Sequence, residues 1–464
     1  MKNQRKSFRL TCALLAAVLA VGVAGCAQPA EGKQPQGKTQ QLWIADNFVD
    51  PQEGYPMENP SAIELSATAA LQKNSLLNGQ IQKQQQSQEM KAVWLSYLDL
   101  KPMLLDKNDK SVGKAQFTKN IQKAFDNIQQ LGLNTVIAQV RPFSDALYES
   151  ELFPWSYLAT GKEGVDPGFD PLAIMVEQAH QRGLQLHAWV NPYRVRTSAT
   201  NKQLSSKNPA VKLLKSGDAI RYNGAVTYDP ASKKAQQLIV DGVREIVEKY
   251  DVDGIHFDDY FYPTTDAGFD SASYQAYKNK GDSLSLAAWR RQNVNDLVKQ
   301  VYTAVKQADG EVLFGISPQG NMDNNYNKQF IDVKKWLSEE GYLDYICPQV
   351  YFGFKNSTCP YEQTVEEWND LIKNKVQLVV GLSPYKVGLE DAYAGNGRWE
   401  WANGGDILAL RARRSTIRDL RSSATTRCSS RNRRFDRQFW RSWTACRRFY
   451  NANIRMERNR RPAR

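Results

Sequence analysis

Histidine is the scarcest chemically versatile residue in this chain: three in 464 positions, His180, His187 and His256. No two have the His-x3-His spacing of metal-dependent polysaccharide deacetylases, and the ligand set of a zinc or di-metal hydrolase is missing with it. No metal and no cofactor is expected. Cysteine is nearly as sparse. Beyond the first 26 residues only Cys347, Cys359, Cys428 and Cys446 remain, too scattered for a disulfide framework. After the N-terminal stretch no apolar run is long enough for a transmembrane helix. Residues 411–464 lack lysine and glycine altogether, yet hold eighteen arginines against three acids, Asp419, Asp436 and Glu457. That block outweighs the whole chain's net charge of +12, so the remainder is net negative. Basic tails occur on nucleic-acid binders, but this one has neither helical nor strand period. The abrupt switch at Leu410 looks like translation in a shifted reading frame, and no nucleic-acid partner is expected.

At the other end, Lys2, Arg5, Lys6 and Arg9 precede an apolar run over 12–23, followed by Val23-Ala24-Gly25-Cys26. This is a positive leader, a hydrophobic stretch too short to span a bilayer, and a small-residue processing site ending in cysteine. It resembles a bacterial lipoprotein signal over 1–26, in which Cys26 is lipidated and becomes the new N-terminus. Ordinary secretory cleavage is the alternative, and either route exports the protein. An extracytoplasmic, membrane-anchored location is expected. Residues 27–90 are polar and rich in glutamine, which suits a flexible tether holding a domain off the membrane.

From 91 to 409 short apolar strands alternate with amphipathic segments of helical length. Strands are predicted over 92–98, 133–142, 184–191, 252–260, 311–319, 342–352 and 377–385, and helices over 117–131, 171–182, 232–249, 284–307, 330–340 and 364–374. Such alternation implies right-handed βαβ units and a parallel sheet. The fold class is α/β, a (β/α)8 TIM barrel in which seven strands are visible and the eighth is displaced by the arginine-rich block.

Alternate residues of a strand share a face. One parity is apolar: Val136, Ala138 and Val140, or Leu184, Leu186 and Val190. The other is polar: Trp94 and Ser96; Gln139 and Arg141; His187, Trp189 and Asn191; His256, Asp258 and Tyr260; Ser317 and Gln319; Gln349 and Tyr351; Ser383 and Tyr385. The polar residues gather toward the C-terminal strand ends, where barrel enzymes place their sites. Singly, such ends are common. A ring of seven is hard to explain as packing, because desolvating so many polar groups is costly.

Several ordered segments carry a family likeness. Lys91-Ala92-Val93-Trp94-Leu95, Gln139-Val140-Arg141-Pro142 with Asp145-Ala146-Leu147-Tyr148, His187-Ala188-Trp189-Val190-Asn191-Pro192-Tyr193-Arg194, the Asp258 stretch, Cys347-Pro348-Gln349-Val350-Tyr351 and Gly381-Leu382-Ser383-Pro384-Tyr385-Lys386-Val387-Gly388 resemble the glycosyl hydrolase-like 10 family. The resemblance spans residues 90 to 409. It implies a bacterial lipoprotein with a TIM-barrel domain, and some members act on peptidoglycan glycan strands. It also implies that a closing strand should follow Gly404-Gly405-Asp406-Ile407-Leu408-Ala409, where the arginine-rich block stands instead.

Glycoside hydrolysis needs a pair of carboxyl groups. Asp258 is the candidate nucleophile or base by parity. Asp259 is the adjacent candidate, although an unbent strand would turn it away from the axis into a supporting or loop-capping role. The acid partner stays open among Asp145, Asp229, Asp323 and Asp344, since the strand ends at Gln319 and Tyr385 carry no glutamate. Arg141 is expected to hold Asp258 ionised or to bind a substrate carboxylate. His187, Asn191 and Arg194 are candidate donors to sugar groups, and His256 an orienter of the neighbouring carboxylate. Trp94, Trp189, Tyr260 and Tyr351 are candidate faces for pyranose rings, although core packing is as good a reading of Trp94; Gln349 and Tyr385 are further substrate-binding candidates. The expected partner is a polysaccharide, handled by a monomer. The competing class is a barrel that holds glycan strands without cutting them. For the anchor, the unmutated protein is expected in the membrane fraction, and Cys26→Ala should release it or block its processing; recovery of the unmutated protein purely in the soluble fraction contradicts lipidation.

Overall fold

The computed structural model describes residues 89–198 and 203–402. The leader, Cys26, nearly all of the tether, the expected closing strand and the arginine-rich block lie outside the described residues. Among the described residues there are ten strands: β1 (Ala92–Leu95), β2 (Thr135–Arg141), β3 (Gln185–Val190), β4 (Arg194–Arg196), β5 (Ala219–Tyr222), β6 (Ala225–Tyr228), β7 (Gly254–Phe257), β8 (Leu313–Ile316), β9 (Tyr345–Ile346) and β10 (Gln377–Leu378). Seven form one sheet in the order β1-β2-β3-β7-β8-β9-β10, parallel throughout. These are the seven strands the sequence predicts. The sheet is curled: a Cβ placed on Gly381, beyond β10, would meet the Trp94 ring of β1 at 2.7 Å.

The apolar parity faces outward. Val136, Ala138, Leu186, Ala188, Ile255 and Phe257 join one core with Phe117, Ile121 and Phe125 of helix Lys114–Gln130, Ile239 and Val243 of helix Lys233–Lys249, and Leu297 and Val301 of helix Leu286–Ala308. Several helices start where the sequence supplies caps: the side chains of Asp170, Ser232 and Ser285 each accept a main-chain N–H of the first turn. Ser96 does more. Its capping box with Asp99 ends β1 and starts helix Tyr97–Leu104, which shortens the strand expected to reach 98.

The sequence-based expectation contains no counterpart to the small antiparallel sheet β4-β6-β5. Asn223 and Gly224, both at positive φ, form the tight turn between β5 and β6. Arg196 at the end of β4 anchors this sheet to the segment after β2, through ion pairs with buried Asp145 and Glu163. The clasp fixes the position of Arg194 two residues earlier.

Inside the curl, two glycines make room for rings. A Cβ on Gly254 would lie 2.5 Å from His187, and one on Gly315 would lie 2.1 Å from Tyr345. Strand interiors usually avoid glycine, except where something approaches closely. Here the approaching groups are a histidine and a tyrosine on the inner side of the curled sheet.

Candidate active site

Strand β7 ends at Phe257, and the chain bends at Asp259. Both carboxyl groups consequently enter the mouth. This overturns the expectation from unbroken alternation, which turned Asp259 away from the axis. Asp258 is 2% exposed. Its Oδ2 accepts from Asn191 Nδ2 at 2.5 Å and Trp189 Nε1 at 3.3 Å, and its Oδ1 from the main-chain N–H of Tyr260 at 3.1 Å. Burial pushes its pKa up to about 7; Arg194 pulls it down, the Asp259 charge adds to the rise, and the Tyr260 and Asn191 hydrogen bonds oppose it. Asp259 sits in a bed of amides. Gln319 and Gln329 donate to its Oδ2, each at 3.1 Å, and Gln349 donates to its Oδ1 at 3.3 Å.

Arg194 donates from Nε to Pro142 O at 3.1 Å and lays its guanidinium 4.3 Å from the centre of the Tyr260 ring. Tyr260 is about half exposed, and so is Tyr385, whose ring meets Tyr351 edge-on at 6.2 Å. Burial, chiefly, and then the Asp259 and Asp258 charges raise the Tyr260 hydroxyl above its ordinary value. Aromatic faces therefore border the two carboxyl groups, with amides beneath them.

Three expected site residues lie elsewhere. Arg141 faces the helical layer, not the mouth. The register between β2 and β3 slips between Gln139 and Arg141, so that Arg141 pairs with outward-facing Val190. This bulge turns the guanidinium onto Phe153 at 4.3 Å and toward the Tyr148 hydroxyl at 3.2 Å, against Gly242 of helix Lys233–Lys249. His187 and His256 are fully buried below the mouth, four and two residues before the Asp258 level. His256 binds Trp94, Ser317 and Tyr345 rather than a carboxylate. Of the four acids left open as partners, Asp145 is locked to Arg196, Asp344 to Lys306 and the Phe314 main-chain N–H, and Asp229 to Ser273. Asp323 is exposed on helix Met322–Lys328. The carboxyl group that shares the mouth with Asp258 is Asp259.

Below the mouth, the hydrogen bonds settle both histidine tautomers. Trp94 Nε1 can only donate, so His256 Nε2 accepts (3.2 Å) and Nδ1 carries the proton. Nδ1 then donates to Tyr345 Oη, whose hydroxyl donates to His187 Nδ1, each at 2.9 Å. His187 Nε2 is left buried without a partner. Burial holds both imidazoles below their ordinary range, His187 at about 4. Among the described residues, no three His, Cys, Asp or Glu side chains gather as metal ligands would. Sequence periodicity offered Gln139, Trp189 and Gln319, but missed Gln329. That residue comes from a helix end beside Phe330, which has positive φ, so no strand pattern reaches it.

With this geometry in place, comparison with known proteins decides the lineage. Residues 89–399 match the glycosyl hydrolase-like 10 family. The chain belongs to that family. The glycosyl hydrolase YngK of Bacillus subtilis (strain 168) is 36% identical over 324 residues, which is 65% of this chain and 62% of that protein. The glycosyl hydrolase DigH of Escherichia coli (strain K12) is 38% identical over 333 residues, 66% of this chain and 75% of that protein. The match to YngK thus spans less than two thirds of that relative. Among solved structures, the glycoside hydrolase domain of PgaB (BpsB) from Bordetella bronchiseptica aligns with a TM-score of 0.42 at 13% identity, over 61% of this chain and 80% of that one, a likeness too slight to argue from. For this glycosyl hydrolase-like 10 protein the mouth of the sheet is the candidate active site.

The buried histidines give a pH signature. His187 titrates near 6.5 when unfolded and about 4 when folded, so between these values the unfolded chain binds a proton that the native chain does not. Its contribution to stability is whole above pH 6.5 and falls as the pH drops toward 4, by about 1.4 kcal/mol per unit. The raised carboxyls of Asp258, Asp145 and Asp229 act in the opposite sense, so the difference between wild type and His187→Phe isolates the effect. In urea unfolding at pH 7, 6, 5 and 4, wild type should lose ground relative to the variant as the pH falls. A constant difference contradicts a buried neutral His187.

Proposed function

We propose that this protein is an O-glycosidase acting on glycan strands of the bacterial cell wall, with Asp258 as the proton donor and Asp259 as its partner. The observation that carries the proposal is the pairing itself: a carboxyl group kept protonated to about pH 7 by burial, next to a second one bedded in three amide N–H groups. Family membership supports the reaction class. Asp258, expected from sequence to be nucleophile or base, is better suited to protonating the leaving oxygen as the glycosidic bond breaks.

The two carboxyls come from consecutive residues on one strand end, rather than flanking the bond from opposite faces. That arrangement favours substrate assistance, in which the 2-acetamido oxygen of the sugar bonds to the anomeric carbon and a carboxylate steadies the acetamido group. Asp259 takes the steadying role. Asp258, deprotonated by the first step, then accepts a proton from the water that bonds to the anomeric carbon as the bond from that carbon to the acetamido oxygen breaks, which restores both the acid and the acetamido group. Tyr260, Tyr351 and Tyr385 supply ring faces, and Arg194 a cation, for the sugar chain. The anchor proposed at Cys26, supported by the lipobox-like Val23-Ala24-Gly25-Cys26, places a monomeric enzyme at the extracytoplasmic face of the membrane.

The test uses peptidoglycan glycans stripped of their peptides. Asp258→Asn and Asp259→Asn should each lower sugar release by about 100-fold or more, with glycan affinity kept within a few-fold. A wild-type protein that binds these glycans and cuts none of them contradicts the proposal and establishes the binding-protein alternative.

A further inference from the structure

Asn191 makes the shortest hydrogen bond to Asp258, and a side-chain amide can sit either way round. Its orientation decides whether the acid faces an N–H or a carbonyl. Two further contacts fix it. Gln139 Nε2 donates to Asn191 Oδ1 at 2.6 Å, and Gln139 Oε1 accepts from the main-chain N–H of Tyr97 at 2.9 Å. A main-chain N–H can only donate. Tyr97 opens helix Tyr97–Leu104, so its N–H has no partner within the helix. It therefore pins Gln139 Oε1, which turns Nε2 to Asn191 Oδ1 and leaves Asn191 Nδ2 facing Asp258. Gln139 and Asn191 are each 1% exposed, so water is not at hand to replace either contact.

We propose that Gln139 is a positioning residue for the acid: it takes its orientation from the Tyr97 N–H and passes it through Asn191, so that a donor and not a carbonyl meets Asp258. The proposal rests on the assignment of Asp258 as proton donor. Without Gln139 the Asn191 amide can turn over, and a carbonyl facing the carboxyl group favours its protonated form. The charged and titratable groups around Asp258 are Arg194 from β4, Asp259 and Tyr260 from its own strand end, and His256 beneath it on β7 with Tyr345 of β9 behind. Tyr351, in the loop after β9, acts on Asp259 and Tyr260. Gln139 is uncharged, so a shift caused by replacing it travels through Asn191.

The measurement is the titration of the Asp258 side-chain carbon by 13C NMR in the full chain, assigned by its loss in Asp258→Asn. Gln139→Met, close in volume and without an amide, should move the midpoint up by about one pH unit. Tyr97→Pro removes the pinning N–H at a helix position that tolerates proline, after a residue whose extended backbone suits it. It should also raise the midpoint, whereas Tyr97→Ala keeps the N–H and should leave it in place. An unchanged midpoint in Gln139→Met, or equal shifts in Tyr97→Pro and Tyr97→Ala, overturns the proposal; if Gln139→Met does not fold, the Tyr97 pair decides alone. No substrate is needed. A shift in a protein that cuts no glycan therefore supports the positioning role while removing the catalytic one, and an unchanged midpoint in an active enzyme removes the positioning role alone.

Discussion

Burying an ionisable carboxyl group costs several kcal/mol unless donors surround it or it keeps its proton, and the upper interior of this sheet is arranged around that constraint at Asp258. The residue sits past the end of β7, where the bend at Asp259 opens, with Asn191 and Trp189 from the neighbouring strand on one oxygen and the Tyr260 N–H on the other. These donors are fewer than full solvation would supply, so the group stays protonated to about pH 7. Asp259, one residue on, meets three glutamine amides contributed by the segments that follow β8 and β9 and by the helix end at Gln329. Two adjacent acids thus face different surroundings, and that difference is what an acid–base pair requires.

The layer beneath obeys the same constraint with neutral groups. Trp94, His256, Tyr345 and His187 form a directed chain of hydrogen bonds in which each proton has an assigned place. Gly254 and Gly315 are the steric counterpart, since any side chain there would overlap the His187 or Tyr345 ring. Packing and polarity are linked here: the rings fill the interior while their nitrogens and hydroxyl satisfy one another. The end of the chain at His187 Nε2 is the one place in it where a donor is left over.

Much of this was legible from residue spacing. Period-2 alternation marked all seven strands of the parallel sheet and the inward faces of Gln139, Asn191, Asp258 and Gln349, because a barrel strand has one apolar side and one lining side. It failed where the backbone leaves that period. The bulge at the end of β2 sends Arg141 to the helices, and the bend after β7 brings Asp259 inward. Depth was also invisible: parity places His187 and His256 on the lining face but does not say that they lie a layer or two below the mouth, about 3.3 Å per residue along the strand. The β5–β6 hairpin did have a signal, Asn223-Gly224 between two short apolar-alternating runs. Gln329 had none, since it reaches Asp259 from a helix end.

The assignment of Asp258 as acid, rather than nucleophile or base, is the centre of this account, and the pH dependence of kcat/KM for the wild-type protein on peptide-free cell-wall glycans tests it most directly. A group that must be protonated to work gives a rate that declines as the pH rises through its pKa. With Asp258 in that role, kcat/KM should fall above a midpoint near pH 7 and drop about tenfold per unit beyond it. A rate that instead rises through pH 7 and holds its plateau at pH 8 and above would show that Asp258 works deprotonated, and would contradict the account.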